Sequence, residues 1–142
     1  MTATRRRMRL LSLAAMIAVG APITGQACEP ALAGEAAGVL RSASRVVAYR
    51  TEPGRIAVGE PVAIEVSVCA VGEARPVESL AVDADMPAHR HGMNYRPSVV
   101  ALDGARYRAE GLLFHMPGLW RLIIELRAGD GVERLTGELV VE

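Results

Sequence analysis

The feature that most constrains this chain is an alternation of apolar and polar residues that recurs through its second half. In the clearest run, Trp120, Leu122 and Ile124 lie two positions apart, and Leu126 continues the series. Successive side chains of a β-strand point to opposite faces, so this period predicts strands with one buried face. Turn residues such as Pro117-Gly118 separate the runs, which is typical of antiparallel sheets.

Similar runs predict about seven short strands with roughly ten residues between their starts. The predicted strands are residues 45–50, 62–69, 80–86, 99–102, 107–113 and 120–127, and a last strand that turns Leu135, Leu139 and Val141 inward. The sequence after the N-terminal segment contains no amphipathic helix of useful length. We therefore predict an all-β protein whose residues 44–142 form one small antiparallel, immunoglobulin-like β-sandwich.

The N-terminal segment has the pattern of a secretory signal peptide. Four arginines between Arg5 and Arg9 precede an apolar run from Leu10 to Ala21, and Gly25-Gln26-Ala27 offers a cleavage site. The run is too short to span a bilayer, although an uncleaved anchor is the alternative. We predict a signal peptide at 1–27, an Ala/Gly-rich linker at 28–43, and a periplasmic or secreted mature chain without a transmembrane span.

The two cysteines, Cys28 and Cys69, leave three alternatives open. They form a disulfide in an oxidising compartment, or they are two unrelated thiols. Alternatively, Cys28 carries a lipid that holds the protein at the outer face of a membrane. Gly25 stands where a lipoprotein cleavage motif has leucine, so the lipid anchor is not favoured.

Composition and motifs exclude several classes of function. The chain has 16 basic and 16 acidic side chains, with one Trp, three Tyr and one Phe, which argues against nucleic-acid binding. It contains no phosphate-binding glycine loop of the common types, no G-x-S-x-G elbow, and no Ser or Cys beside a His. We therefore expect no catalytic residues and no enzyme activity.

Histidine and methionine are concentrated in two short windows. Every His of the chain, and every Met after the signal segment, falls within residues 86–93 or at 115–116; these are Met86, His89, His91, Met93, His115 and Met116. Methionines used only as core filler would be scattered through the strands. Pro87 and Gly92 predict an extended, non-helical loop on which His89, His91 and Met93 project to one side. Loops gather at the ends of a sandwich, so both windows are expected to converge.

Imidazole and thioether together form a soft ligand set that favours copper, and Cu(I) in particular. Zinc bound by the three histidines is the second choice. Calcium and magnesium require clustered oxygen ligands, and the nearby Asp83 and Asp85 are expected to face solvent. We predict His89, His91 and Met93 as ligands, with His115 and then Met86 or Met116 completing the site.

Packing is the rival explanation for some of these residues. Met86 shares its parity with the apolar residues of its strand, and Met116 could pack beneath the Pro117-Gly118 turn. His115 would then fix that corner through a hydrogen bond, and Trp120 would belong to the core. The competing interpretation is a metal-free structural or interaction module in which the two loops brace each other.

Residues 86–93 (MPAHRHGM) and 111–120 (GLLFHMPGLW) resemble the YtkA-like and FixH-like domains. The resemblance covers residues 45–142 and implies an exported or membrane-anchored immunoglobulin-like β-sandwich. FixH-like domains are associated with copper supply to haem-copper oxidases, which implies a copper-donor or copper-acceptor protein as partner. The expected function is therefore copper buffering or delivery in the periplasm.

Overall fold

A computed structural model describes residues 28–32, 34 and 37–142, so the predicted signal peptide lies outside the described residues. Nine strands make up most of the described chain. They are β1 (Gly38–Arg41), β2 (Arg45–Glu52), β3 (Pro61–Ala70), β4 (Ser79–Met86), β5 (His91–Gly92), β6 (Ser98–Ala101), β7 (Arg106–Leu113), β8 (Gly118–Ala128) and β9 (Gly131–Val141). One 3-10 turn, Pro87–His89, interrupts this series between β4 and β5.

The strands form two antiparallel sheets. One sheet has five strands in the order β1-β2-β3-β7-β6, and the other has four in the order β5-β4-β8-β9. A single parallel bridge, from Ile56 to Val141, links the β2–β3 connection to the end of β9. The predicted antiparallel β-sandwich is confirmed.

The core lies between the two sheets and follows the predicted period of two. Ile64 and Val66 of β3 have no exposed surface, and neither have Leu122 and Ile124 of β8. Branched side chains that alternate along a strand fill the space between two sheets, which explains why these residues form strands here.

Two of the nine strands were not predicted. Strand β1 lies within residues 28–43, where the sequence predicts a linker, and it pairs with β2 along its whole length. Strand β5 has only two residues and exists because the chain doubles back against the end of β4. Strand β5 is too short for an alternation to be visible, and the Ala- and Gly-rich segment around the four-residue β1 has no strong period, so both strands depend on pairing with a neighbour.

Cys28 and Cys69 form a disulfide, with their Cα atoms 5.7 Å apart. Cys69 pairs with Val46 near the end of β3, so the disulfide ties the start of the described chain to the five-stranded sheet. A sulfur atom in a disulfide carries no lipid, so this pairing excludes the lipid anchor while it persists. Within the described residues, no helix has the length and apolar character needed to cross a membrane.

Tyr49 connects the two sheets along one side of the sandwich. Its hydroxyl donates a hydrogen bond to the carbonyl of Glu138, with 3.2 Å between the oxygens. Gly38 and Gly137 make room for the ring, because a Cβ at either position would lie within 3 Å of the Tyr49 hydroxyl oxygen. Burial raises the pKa of Tyr49 above its ordinary value, since the charged phenolate would be poorly solvated.

Replacing both cysteines by alanine is expected to lower the free energy of unfolding by about 2–4 kcal/mol, because the disulfide closes a long loop in the unfolded chain. Denaturant unfolding measures the change. Reductant should destabilise the wild type by a similar amount and leave the Cys28→Ala/Cys69→Ala protein unchanged. An unfolding midpoint that is the same in both proteins without reductant would contradict the structural role of the disulfide.

Tyr49→Phe is expected to lower the free energy of unfolding at neutral pH by about 1 kcal/mol, because the hydrogen bond to Glu138 is lost. Because the pKa of Tyr49 is raised in the folded state, the tyrosine of the unfolded chain ionises at a lower pH. Folding therefore becomes less favourable as the pH rises through the range in which the unfolded tyrosine ionises. The wild-type advantage should therefore shrink as the pH rises above about 10. Urea unfolding of both proteins at several pH values tests this, and a constant difference would contradict it.

Candidate metal centre

The first histidine window folds into a tight reversal at the end of β4. Pro87 begins the 3-10 turn, where its missing N–H is harmless, and the backbone N–H of Arg90 donates to the Pro87 carbonyl. Arg90 takes the left-handed conformation, with φ 54° and ψ 40°. The chain then returns as β5, so that His91 pairs with Met86.

The predicted extended loop is therefore wrong between His89 and His91. The 3-10 turn and the left-handed Arg90 break the alternation that would place both imidazoles on one side. His89 is exposed, whereas His91 is half-buried. The two rings remain neighbours, with 5.9 Å between their centroids.

The second window connects β7 of one sheet to β8 of the other. Phe114 has no exposed surface and anchors the connection in the core. His115 is exposed and Met116 is half-buried. Gly118 begins β8 with φ at 126°, a conformation that residues with a side chain rarely adopt.

The two windows converge at one end of the sandwich, as the sequence predicts. The His91 Nε2 atom lies 3.0 Å from the Met116 Sδ atom, although the residues are 25 positions apart. The ring centroids of His91 and His115 are 4.8 Å apart. An imidazole nitrogen and a thioether sulfur, both soft donor types, are therefore in direct contact at this end of the sandwich. We call His89, His91, His115 and Met116 the His–Met cluster.

Met86 lies deeper than Met93 and Met116, which are both half-buried and packed against the core. Met86 is only 2% exposed, and its methyl carbon lies 3.2 Å from the position that a Gly118 Cβ would take. Met93 donates its backbone N–H to the Ala84 carbonyl and packs against the core. Packing in the core explains the burial of Met86, in agreement with its alternation with the other apolar residues of β4.

Trp120 packs against the His–Met cluster, although the sequence predicts it only as a core residue. Its ring centroid lies 5.5 Å from that of His91 and 5.4 Å from that of His115, with edge-to-face geometry. Its indole N–H donates to the Met116 carbonyl over 3.1 Å. The one sequence feature that relates Trp120 to the cluster is its position four residues after Met116.

Polar atoms near the cluster differ in whether they have a hydrogen-bond partner. The His91 Nδ1 atom is buried and has no hydrogen-bond partner among the described residues. On the outer face of β4 and β8, Arg121 donates two hydrogen bonds to Asp85, of 2.8 and 2.5 Å, which raise the pKa of the guanidinium. In the part of the chain that the structure describes, no three His, Cys, Asp or Glu side chains form a metal-binding group.

Comparisons with known proteins support the fold. No known family matches the sequence, and no curated protein matches it. Among solved structures, the chain resembles the crystal structure of a DUF4426 family protein from Pseudomonas aeruginosa. The two are 16% identical with a TM-score of 0.51, over 72% of this chain and 92% of that one. At this identity the likeness shows a β-sandwich-like fold alone.

Met86→Ala is expected to lower the free energy of unfolding by about 2–5 kcal/mol, because it leaves a cavity between the sheets. Met116→Ala should cost less, since Met116 is only half-buried. Thermal or denaturant unfolding of the two variants makes the comparison. Equal losses would show that Met116 is as much a packing residue as Met86.

Proposed function

We propose that this protein is an exported, non-enzymatic β-sandwich that binds copper, preferably Cu(I), at the His–Met cluster. It would buffer the metal or exchange it with a copper-donor or copper-acceptor protein. The observation that carries the proposal is the 3.0 Å contact between His91 Nε2 and Met116 Sδ, which joins the two windows of the sequence.

The chemistry of the donor atoms favours Cu(I). A thioether is a poor ligand for hard cations, whereas Cu(I) binds both thioether and imidazole. His115 and His89 are the next donors available, since their rings neighbour that of His91. Zinc remains the second choice, because it gains little from methionine and, among the described residues, the three histidines are not grouped closely enough to hold it by themselves.

The exposure of the ligands suits exchange between proteins. His89 and His115 are exposed at one end of the sandwich, while Met116 is half-buried beside them. A partner can therefore reach two ligands before the metal leaves the others.

Two further observations favour an exported protein with this function. The Cys28–Cys69 disulfide is typical of oxidising compartments, and the N-terminal segment has the pattern of a signal peptide. Residues 86–93 and 111–120 resemble the YtkA-like and FixH-like domains, and FixH-like members are associated with copper supply. Membership of that group is part of this proposal, as is the periplasmic or secreted location.

The alternative is a metal-free module in which the two loops brace each other. One observation favours it: His91, Met116 and Trp120 already contact one another directly. In that case His91 and Met116 would contribute to stability and would bind no metal.

Titration of Cu(I) against a competing chelator, without oxygen, tests the proposal. Wild-type protein should bind one equivalent, and His91→Ala and Met116→Ala should each weaken binding by about tenfold or more, because each removes one ligand. Ascorbate serves as the reductant, since it maintains Cu(I) while leaving disulfides largely intact.

Met86→Leu is the matched control, because it removes a buried thioether and nearly preserves side-chain volume. Its Cu(I) affinity should stay within about twofold of wild type. Wild-type protein that does not compete for Cu(I), together with destabilisation by His91→Ala, would establish the bracing role instead.

A further inference from the structure

Strand β9 is the longest edge strand of the sandwich. It is the last strand of the four-stranded sheet, and among the described residues no strand of that sheet pairs with its other side. It has 11 residues, whereas the other edge strands, β1, β5 and β6, have four, two and four. Proteins protect exposed edges with short strands, prolines or bulges, and β9 contains neither a proline nor a shift of register. Its edge is therefore available for pairing with another strand.

The backbone groups of alternate β9 residues point away from β8. The Glu138 carbonyl accepts the hydrogen bond of Tyr49, and the Glu142 N–H donates to the connection between β2 and β3. Because the β8–β9 register is continuous, the backbone groups of Arg134 and Thr136 point to the same side as those of Glu138. An open cavity of about 400 Å³ between β1 and β9 adjoins Arg134 and Thr136, so this part of the edge is accessible.

The outer face of β9 is complementary to itself about Thr136. A basic residue, Arg134, precedes Thr136 by two positions, and an acidic residue, Glu138, follows it by two. Beyond them lie Val132 and Val140, which are 52% and 63% exposed. When two copies of β9 pair antiparallel with Thr136 opposite Thr136, each Arg134 lies opposite Glu138 of the second copy. Each Val132 then lies opposite Val140, and both kinds of cross-strand pair are favourable.

Other registers lose this match. A shift of two residues in one direction places Arg134 opposite Thr136 and Val132 opposite Glu138. A shift in the other direction places Val132 opposite Glu142, whose backbone already bonds to the connection between β2 and β3. A shift of one residue opposes backbone groups that point outward with groups that point to β8. The sequence of β9 therefore favours a single register with a second copy of itself.

We propose that the edge of β9 is a homodimer interface, in which two copies of this chain pair antiparallel about Thr136 and join their four-stranded sheets. The same edge is used on both copies, so the assembly closes at two chains. The complementarity of β9 to its own sequence favours a second copy over a strand of another protein. The interface includes no residue of the His–Met cluster, so the inference goes beyond the proposed function and does not depend on it.

Sedimentation velocity of the metal-free protein, from about 10 µM to about 1 mM, tests the interface. Wild type should form dimers that dissociate on dilution. Arg134→Glu should weaken dimerisation by about tenfold or more, because it places like charges opposite each other. Arg134→Glu/Glu138→Arg should restore dimerisation to within about threefold of wild type, because the exchange preserves the opposite charges.

Arg127→Glu is the matched control for charge. Arg127 pairs with Val132 on the outer face of the sheet, but it lies on β8, one strand away from the edge. Its replacement changes the net charge by the same amount as Arg134→Glu, and dimerisation should stay within about threefold of wild type.

Thr136→Pro tests the backbone pairing itself. The Thr136 N–H points away from β8, so proline should abolish the dimer while leaving the β8–β9 ladder intact. Thermal denaturation at low concentration, where wild type is monomeric, checks that every variant folds.

A wild type that stays monomeric at the highest concentration would overturn the inference. A dimer that persists in Thr136→Pro would also overturn it, as would a dimer that the exchanged charges fail to restore. Cu(I) affinity is measured separately, so a protein that dimerises without binding Cu(I) tells against the proposed function alone.

Discussion

Trp120 is the side chain on which both the core and the candidate metal centre depend. It has no exposed surface, and its ring contacts Phe114 with 5.1 Å between centroids. The same ring lies beside His91 and His115, and its N–H holds the Met116 carbonyl. A buried indole needs a hydrogen-bond acceptor, and here that requirement fixes the backbone of a candidate ligand. Packing of the sandwich and positioning of the cluster are therefore coupled through one residue.

The position of the cluster follows from the topology. Strands β4 and β8 are neighbours, so the loop after β4 and the loop before β8 meet at one end of the four-stranded sheet. The loop before β8 also comes from β7, which brings the five-stranded sheet to the same end. The Cys28–Cys69 disulfide lies near the other end of β3 from Pro61, which pairs with Leu113 just before the cluster. The Cys28–Cys69 disulfide and the His–Met cluster thus lie at opposite ends of the sandwich.

The sequence predicts the parts of this structure that repeat and misses those that depend on a single pairing. Alternation over β3 and β8 is long enough to identify both strands and their inner faces, because the apolar residues of each strand face the core. Strand β5 has no such pattern, since its two residues are held by the end of β4. Clustering of His and Met indicated the candidate site, but it could not show which of these side chains are buried and which are exposed. Asp85 lies on the outer face of β4, as the alternation predicts, but its partner Arg121 could not be identified, because it lies 36 positions away on another strand.

Arg90 explains why two histidines separated by one residue differ in exposure. In an extended segment, residues two apart would share a face, and His89 and His91 would be equally accessible. A left-handed residue between them reverses the chain, which leaves His89 in solvent and directs His91 toward Met116. Such a conformation is costly for a residue with a side chain, and it is retained only where the surrounding structure imposes it. Here the pairing of Met86 with His91 imposes the left-handed conformation of Arg90. The difference in exposure between His89 and His91 is therefore a consequence of this hairpin.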